Sequence, residues 1–311
     1  TYCTGGAQHS LFNPSAEPAQ ILAAAIADGV GSCALSHWGS YFAVTAALGY
    51  IEKAVREKGG HGPYELTNLA EVQEILTGAF HAAQGEVEQK ADEAQQAVFN
   101  FQSTLTVALY DGVHVYCCHC GDDGVVVQEQ DGVVKMVTKR LKGEEASSVY
   151  PLQSGPSKWQ ITGTKNPVAG FVMATDGVLD AVFEDYYGVN YCQGIYYPFM
   201  KPAMDGLGDS GGLAAEKTLA YYKEFLNSPD YRRRVTDDLT VVAVVSPQLL
   251  RQSGQPRFNV NIWKSVYEEH ANAVRARLEG KTVDGGENSP AVPEKTEAAQ
   301  YERPAGPEYK T

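Results

Sequence analysis

Two hydrophobic periodicities alternate along the first 250 residues. Short runs of β-branched and apolar residues predict strands, because each run is bounded by turn-forming residues such as Asp-Gly. The predicted strands are residues 21–27, 103–110, 113–120, 125–130, 133–138, 170–175 and 239–246. Apolar residues at helical spacing predict a helix after Ser36, and a second helical region covers about residues 68–98. These elements predict an α+β fold in which helices pack on sheets.

The four strands between residues 103 and 138 follow one another through three short turns, each of which contains Asp-Gly. Asp-Gly between two hydrophobic runs is a strong signal for a β-hairpin. We therefore expect these four strands to form an antiparallel meander.

The pattern changes after residue 250. Between residues 263 and 278 the large apolar residues fall on one helical face, and Gly280 follows them as a stop signal. From residue 281 onward Pro and Glu are frequent and large aliphatic residues are almost absent, so burial cannot offset the entropy of ordering. We therefore predict a domain over residues 1–250, a C-terminal helix over 251–280 and a disordered tail over 281–311.

Composition and charge exclude several classes of protein. The 311 residues include 38 Asp and Glu against 25 Lys and Arg, a net charge of −13, which excludes nucleic-acid binding through a basic surface. A hydrophobic fraction of 43% excludes disorder of the whole chain. No apolar run approaches the roughly 18 residues of a membrane helix, and the start shows no basic region followed by an apolar stretch. Six cysteines in a chain of this length do not make a disulfide scaffold, so we expect a cytoplasmic protein without nucleic-acid or membrane partners.

Three aspartates stand at the ends of predicted strands. Asp28 and Asp176 each follow an apolar run and precede a glycine, and Asp237 comes just before the strand that starts at residue 239. Carboxylates that converge at the rim of a sheet repel one another unless a cation compensates their charge. Oxygen ligands alone suit hard cations such as Mg²⁺ or Mn²⁺. The alternative is that each Asp-Gly pair only forms a turn.

The residues around these aspartates resemble the motifs of the type 2C metal-dependent protein phosphatases, in their bacterial form. Five segments occur in the order and approximate spacing of that family. They are ADGVGS at 27–32, STLT at 103–106, GDD at 121–123, ATDGVLD at 174–180 and DDLTVV at 237–242. Each segment is a weak signal alone, but the ordered set is specific.

The resemblance implies an α-β-β-α sandwich, in which two antiparallel sheets are flanked by helices and hold two Mg²⁺ or Mn²⁺ ions. By matched position, Asp28 and the carbonyl of Gly29 would bind metal together with Asp176 and Asp237. Asp122 and Asp238 are additional candidates. The implied activity is hydrolysis of phosphoserine and phosphothreonine in proteins by a metal-activated water, and the implied substrate is a Ser/Thr kinase or one of its targets.

The chain departs from the family pattern near its start. The early acidic motif is reduced to Glu17, which is a further candidate ligand for the second metal. Val30 stands where many eukaryotic members have a His that can protonate the leaving alcohol, and bacterial-type members often lack that His. An alternative hypothesis is therefore a weak or inactive phosphatase-like module that regulates a phosphoprotein or partner by binding it.

Two other motifs are interpreted as structural or accidental. Residues 117–120 read Cys-Cys-His-Cys, but neighbours on a strand point to opposite faces, so they indicate buried core positions rather than a zinc site. The string GDSGG at 208–212 lacks the surroundings of a serine-protease nucleophile. The Tyr-rich interval 181–234 is interpreted as a packed helical subdomain, with a substrate-selecting flap as the alternative.

Overall fold

The computed structural model describes residues 2–6, 21–59, 68–141, 149–185, 191–206, 213–235 and 237–258, all within the compact unit Thr1–Ser265. The strands are β1 (Tyr2–Gly6), β2 (Leu22–Ala27), β3 (Leu105–Tyr110), β4 (Val115–Cys120), β5 (Gly124–Glu129), β6 (Val133–Met136), β7 (Gln160–Gly163), β8 (Val168–Ala174), β9 (Val241–Val245) and β10 (Arg257–Phe258). The helices are α1 (Ser36–Gly59), α2 (Leu69–Glu93), α3 (Asp176–Asp185), α4 (Tyr191–Ile195), α5 (Lys201–Gly206), α6 (Leu213–Leu226), α7 (Pro229–Arg234) and α8 (Pro247–Leu250).

The strands form two five-stranded sheets. The first has the order β1-β2-β3-β4-β7 and the second the order β10-β6-β5-β8-β9. Alternate residues of β2 separate two cores: Ala25 and Ala27 pack with α1 and α2, whereas Ala24 and Ile26 pack between the sheets. Helical segments from α4 to α5 contact the second sheet. The predicted α-β-β-α sandwich is therefore confirmed.

The predicted antiparallel meander is wrong at one step. β3 and β4 form a hairpin in the first sheet, and β5 and β6 form a hairpin in the second. Residues 121–123 therefore carry the chain from one sheet to the other instead of closing a hairpin. The sheets are also not wholly antiparallel, because β10 pairs with β6 in parallel.

Several sequence-based predictions concern segments that the structure describes only in part or not at all. Of the predicted helix 251–280, the described part forms a turn and β10, while the remainder and the predicted tail 281–311 lie outside the described residues. The GDSGG string lies outside them as well. The described part of the 181–234 interval is helical, as predicted. No helix among the described residues is long and apolar enough to cross a membrane.

The cysteine cluster lies on β4, where its residues divide between the two cores. Cys118 and Cys120 pack on the helix side of the first sheet, and Cys117 packs between the sheets. The predicted alternation of these side chains is therefore confirmed. His119 is completely buried, and neither of its ring nitrogens has a hydrogen-bond partner.

Burial of His119 predicts a pH-dependent stability. Burial lowers the pKa of this imidazole to about 4, so the folded protein disfavours its protonation. Its contribution to stability is complete above the unfolded-state pKa of 6.5 and is lost as pH falls from there towards 4. Between pH 7 and 4.5 we expect the wild type to lose about 2 kcal/mol more unfolding free energy than His119→Leu. Urea titrations of both proteins measure this difference, and parallel pH profiles would contradict it.

Candidate metal centre

The end of β2 places Asp28 at one rim of the first sheet. β2 and β3 pair with Ile26 opposite Thr106, which sets Asp28 beside Thr104. The Asp28 N–H donates to the Thr104 hydroxyl, and the Thr104 N–H donates to the Asp28 carbonyl, both at 2.8 Å. The buried Asp28 carboxylate accepts from the N–H of Gly29 at 2.9 Å. Thr104 therefore holds both the N–H and the carbonyl of Asp28.

The second sheet brings two further aspartates to its rim. Ala174, the last residue of β8, lies opposite Val241, the first residue of β9. Thr175 extends this pairing, since its N–H donates to the Thr240 carbonyl at 3.2 Å and its hydroxyl accepts from the Thr240 N–H at 3.1 Å. Asp176, which begins α3, therefore lies close to the segment that contains Asp237.

Three carboxylates that are distant in sequence meet at this rim. One oxygen each of Asp28, Asp176 and Asp237 lie within 4.8 Å of one another. Asp28 is buried, Asp176 is half-buried and Asp237 is exposed, so the group opens to solvent. Partial desolvation, together with the nearby charges of Asp176, Asp238 and Asp180, raises the pKa of Asp237. A divalent cation would relieve this repulsion, and the all-oxygen donor set fits Mg²⁺ or Mn²⁺.

The other candidate ligands that the structure describes, Asp122 and Asp238, do not belong to the group of three converging carboxylates. Asp122 is buried, but it is not one of the described residues whose carboxylates converge within 4.8 Å, and its side chain lies 3.8 Å from the Arg140 guanidinium. Asp238 is exposed, and its N–H donates to the Asp237 carboxylate at 2.8 Å. This hydrogen bond helps to orient the Asp237 carboxylate. Glu17 lies outside the described residues.

Sequence reasoning missed two residues near the site. Arg140 donates to the Asp122 carbonyl and to the Asp180 carboxylate, each at 2.6 Å, from a segment without a recognisable motif. Asp123 is completely buried, and burial together with the charges of neighbouring aspartates raises its pKa well above the usual value. The signal for Asp123 was present as the second acidic residue of the GDD segment, where the family resemblance directed attention to Asp122.

Gly29 is required by a close approach at the site. A Cβ at this position would lie 2.8 Å from the Ser36 Oγ and 2.9 Å from the Ser36 carbonyl carbon, whereas a Cβ at Gly31 meets nothing within 4 Å. Gly29→Ala must therefore displace backbone beside Asp28, and we expect it to cost about 1–3 kcal/mol of stability and to weaken Mn²⁺ binding at least tenfold. Thermal unfolding and Mn²⁺ titration measure both effects, with Gly31→Ala as the matched control. Equal behaviour of the two variants would contradict the steric argument.

Comparison with known proteins gives the family. Residues 10–221, more than half of the chain, match the protein phosphatase 2C family, and the chain belongs to that family. The assignment made from the sequence motifs is thereby confirmed, and with it the class of metal-dependent protein Ser/Thr phosphatase. Serine/threonine-protein phosphatase 3 of Escherichia coli K12 is 24% identical over 227 residues, which cover 71% of this chain and 82% of the relative.

Solved structures of bacterial phosphatases are similar to the chain at low identity. The serine/threonine phosphatase PstP/Ppp of Mycobacterium tuberculosis is 14% identical with a TM-score of 0.44, over 78% of this chain and 97% of that one. A structure of the PstP catalytic domain in complex with two manganese ions is 16% identical with a TM-score of 0.42, over the same shares of the two chains. Family membership rests on the match of residues 10–221 rather than on these structural likenesses.

Proposed function

We propose that Asp28, Asp176 and Asp237, with the carbonyl of Gly29, hold two Mn²⁺ or Mg²⁺ ions and that this centre hydrolyses phosphoserine and phosphothreonine in proteins. The observation that carries the proposal is the approach of the three carboxylates to within 4.8 Å. Three uncompensated carboxylates at that separation repel one another, so the arrangement favours cation binding. The match to the phosphatase family supports the same conclusion.

The chemistry proposed for the site needs no side-chain nucleophile. When bound, two cations supply a water of lowered pKa as the nucleophile and neutralise charge on the phosphate. The residues of the chain contribute by fixing the ligands before substrate arrives. Thr104 holds the backbone of Asp28 from the first sheet, and Thr175 holds the segment after Asp237 from the second. Such preorganisation keeps oxygen donors in place without reorganisation during the reaction.

The substrate that we propose is a phosphorylated protein in the cytoplasm, either a Ser/Thr kinase or one of its targets. The family match supports the phosphoprotein class of substrate. The alternative of a binding module without turnover is not favoured, because the three carboxylates are all present and close together.

A phosphopeptide assay tests the proposed function. We expect Mn²⁺, and to a measurable degree Mg²⁺, to support phosphate release from phosphoserine and phosphothreonine peptides, with the activity removed by excess EDTA and restored by metal. A phosphotyrosine peptide of the same sequence is the matched substrate control and is expected to be hydrolysed at least tenfold more slowly. Equal rates with and without EDTA would contradict the proposal, and so would a preference for phosphotyrosine.

A further inference from the structure

A buried carboxyl group lies directly behind the metal-site backbone. Asp123 is completely buried, and its Oδ2 accepts hydrogen bonds from the hydroxyls of Thr104 at 2.7 Å and Thr106 at 3.4 Å. Its Oδ1 is also buried and has no hydrogen-bond partner. Burying a carboxyl group with one oxygen unsatisfied is costly, so the presence of Asp123 at this position calls for an explanation.

The hydrogen bonds of Thr104 have a fixed direction. The N–H of Asp28 can only donate, so the Thr104 hydroxyl must accept from it through a lone pair. The one proton of that hydroxyl is then free to point at Asp123, which accepts it. The chain of contacts therefore runs from the Asp123 carboxyl through the Thr104 hydroxyl to the backbone of Asp28.

We propose that Asp123 is a positioning residue for the metal centre. It orients the Thr104 hydroxyl, and the hydroxyl holds the Asp28–Gly29 backbone so that the carboxylate of Asp28 and the carbonyl of Gly29 meet the cation. The proposal rests on the proposed function in one respect, namely that Asp28 and Gly29 bind metal. Groups that orient metal ligands commonly change metal affinity by about 10- to 100-fold when they are removed.

A different explanation would be that Asp123 acts on the cations directly through its charge. It is close enough to Asp28 and Asp176 for their charges to contribute to its raised pKa. The two explanations differ in their dependence on Thr104. Positioning requires the Thr104 hydroxyl, whereas a charge effect does not.

Thr106, which lies in β3 two residues after Thr104, provides a matched control. It is as buried as its neighbour and donates to the same oxygen of Asp123, at a longer distance. In the β2–β3 ladder, however, Thr106 pairs with Ile26 rather than holding Asp28. Val replaces Thr at nearly constant volume, so Thr104→Val and Thr106→Val differ mainly in the contact to Asp28.

Mn²⁺ affinity of the full chain, measured by titration calorimetry, tests the positioning role. We expect Thr104→Val and Asp123→Ala each to weaken binding by about tenfold or more, and Thr106→Val to change it less than threefold. The double variant should bind no more weakly than Thr104→Val alone, because both changes break the same chain of contacts. Asp123→Asn keeps an acceptor for the Thr104 hydroxyl without the charge, and its Mn²⁺ affinity should stay within threefold of the wild type. This variant and Thr104→Val keep the test valid if Asp123→Ala does not fold.

Two affinity results would overturn the proposal. One is an Asp123→Ala effect of the same size in the wild-type and Thr104→Val backgrounds, which would indicate a direct charge effect. The other is equal weakening by Thr104→Val and Thr106→Val, which would indicate a general disturbance of the core.

Hydrogen exchange of the metal-free protein separates this inference from the proposed function. The Asp28 amide should exchange at least tenfold faster in Thr104→Val and Asp123→Ala than in the wild type, while Thr106→Val leaves it unchanged and the amide of Ala25 is unaffected throughout. An unchanged Asp28 amide in Asp123→Ala would overturn the positioning role. A wild type that binds no Mn²⁺ would contradict the proposed function instead, without altering the exchange result.

Discussion

Asp237→Asn is expected to lower the rate of Mn²⁺-dependent phosphoester hydrolysis by at least about 100-fold. It is also expected to stabilise the metal-free protein slightly. Asn keeps the shape of the side chain but removes the charge that a cation needs from this ligand. In the absence of metal the same charge is unfavourable, because partial desolvation and neighbouring aspartates raise the pKa of Asp237. The gain is expected to be about 0.5 kcal/mol, since an exposed carboxylate is screened by solvent.

The pH dependence of this gain has a defined sign. A carboxyl group with a raised pKa stabilises the fold below its unfolded-state pKa and loses that contribution as pH rises through the folded-state value. The advantage of Asp237→Asn in EDTA should therefore be absent at low pH and grow towards neutrality. Calorimetric unfolding in EDTA and hydrolysis of p-nitrophenyl phosphate with Mn²⁺ measure the two effects.

Asp205→Asn is the control for loss of a negative charge. Asp205 lies on α5 and pairs with Lys201, and the variant should keep wild-type turnover. Retention of Mn²⁺-dependent turnover within tenfold by Asp237→Asn would contradict the proposed ligand set. A loss of stability in EDTA would contradict the electrostatic argument.

Mn²⁺ is expected to raise the melting temperature of the wild type by about 5–10 °C when added at 100 times its dissociation constant. Binding to the folded state alone contributes about 2.7 kcal/mol at that concentration, and 1 kcal/mol corresponds to about 2–4 °C in a chain of this size. The convergence of three carboxylates is the source of the effect, because the cation removes their repulsion.

Asp28→Asn is the variant that locates this stabilisation. Asn can still accept from the N–H of Gly29, so the local backbone is kept while the charge is removed. We expect the Mn²⁺-induced shift to fall below about 2 °C in this variant. Differential scanning fluorimetry measures the shift, and an equal shift in Asp28→Asn and the wild type would place the bound ion elsewhere.

The sequence predicted the convergence of the three aspartates better than the path of the chain. Asp28 and Asp176 could be recognised because each follows an apolar run and precedes glycine, and antiparallel pairing of β8 with β9 brings Asp237 to the same rim. The crossing at residues 121–123 was missed for a physical reason. β3 and β5 are buried at every position, so their burial pattern does not distinguish one sheet from two.

The contacts next to the proposed metal site could not be predicted from the local sequence pattern. Thr104 and Asp123 are 19 residues apart, and their hydrogen bond depends on how the crossing after β4 returns the chain to the start of β3. β7 and β10 were missed as well, because β7 has four residues and β10 has two, which is too short for a clear alternation of apolar and polar positions. These two strands form because they pair with β4 and β6, rather than because their own residues have a high strand propensity.

Diffraction from crystals grown with Mn²⁺, recorded at the manganese absorption edge, tests the central claim most directly. Two anomalous peaks are expected at the rim where Asp28, Asp176 and Asp237 converge, each with oxygen ligands, and no such peaks are expected in crystals of Asp237→Asn. Manganese bound elsewhere, with none at these three carboxylates, would contradict it.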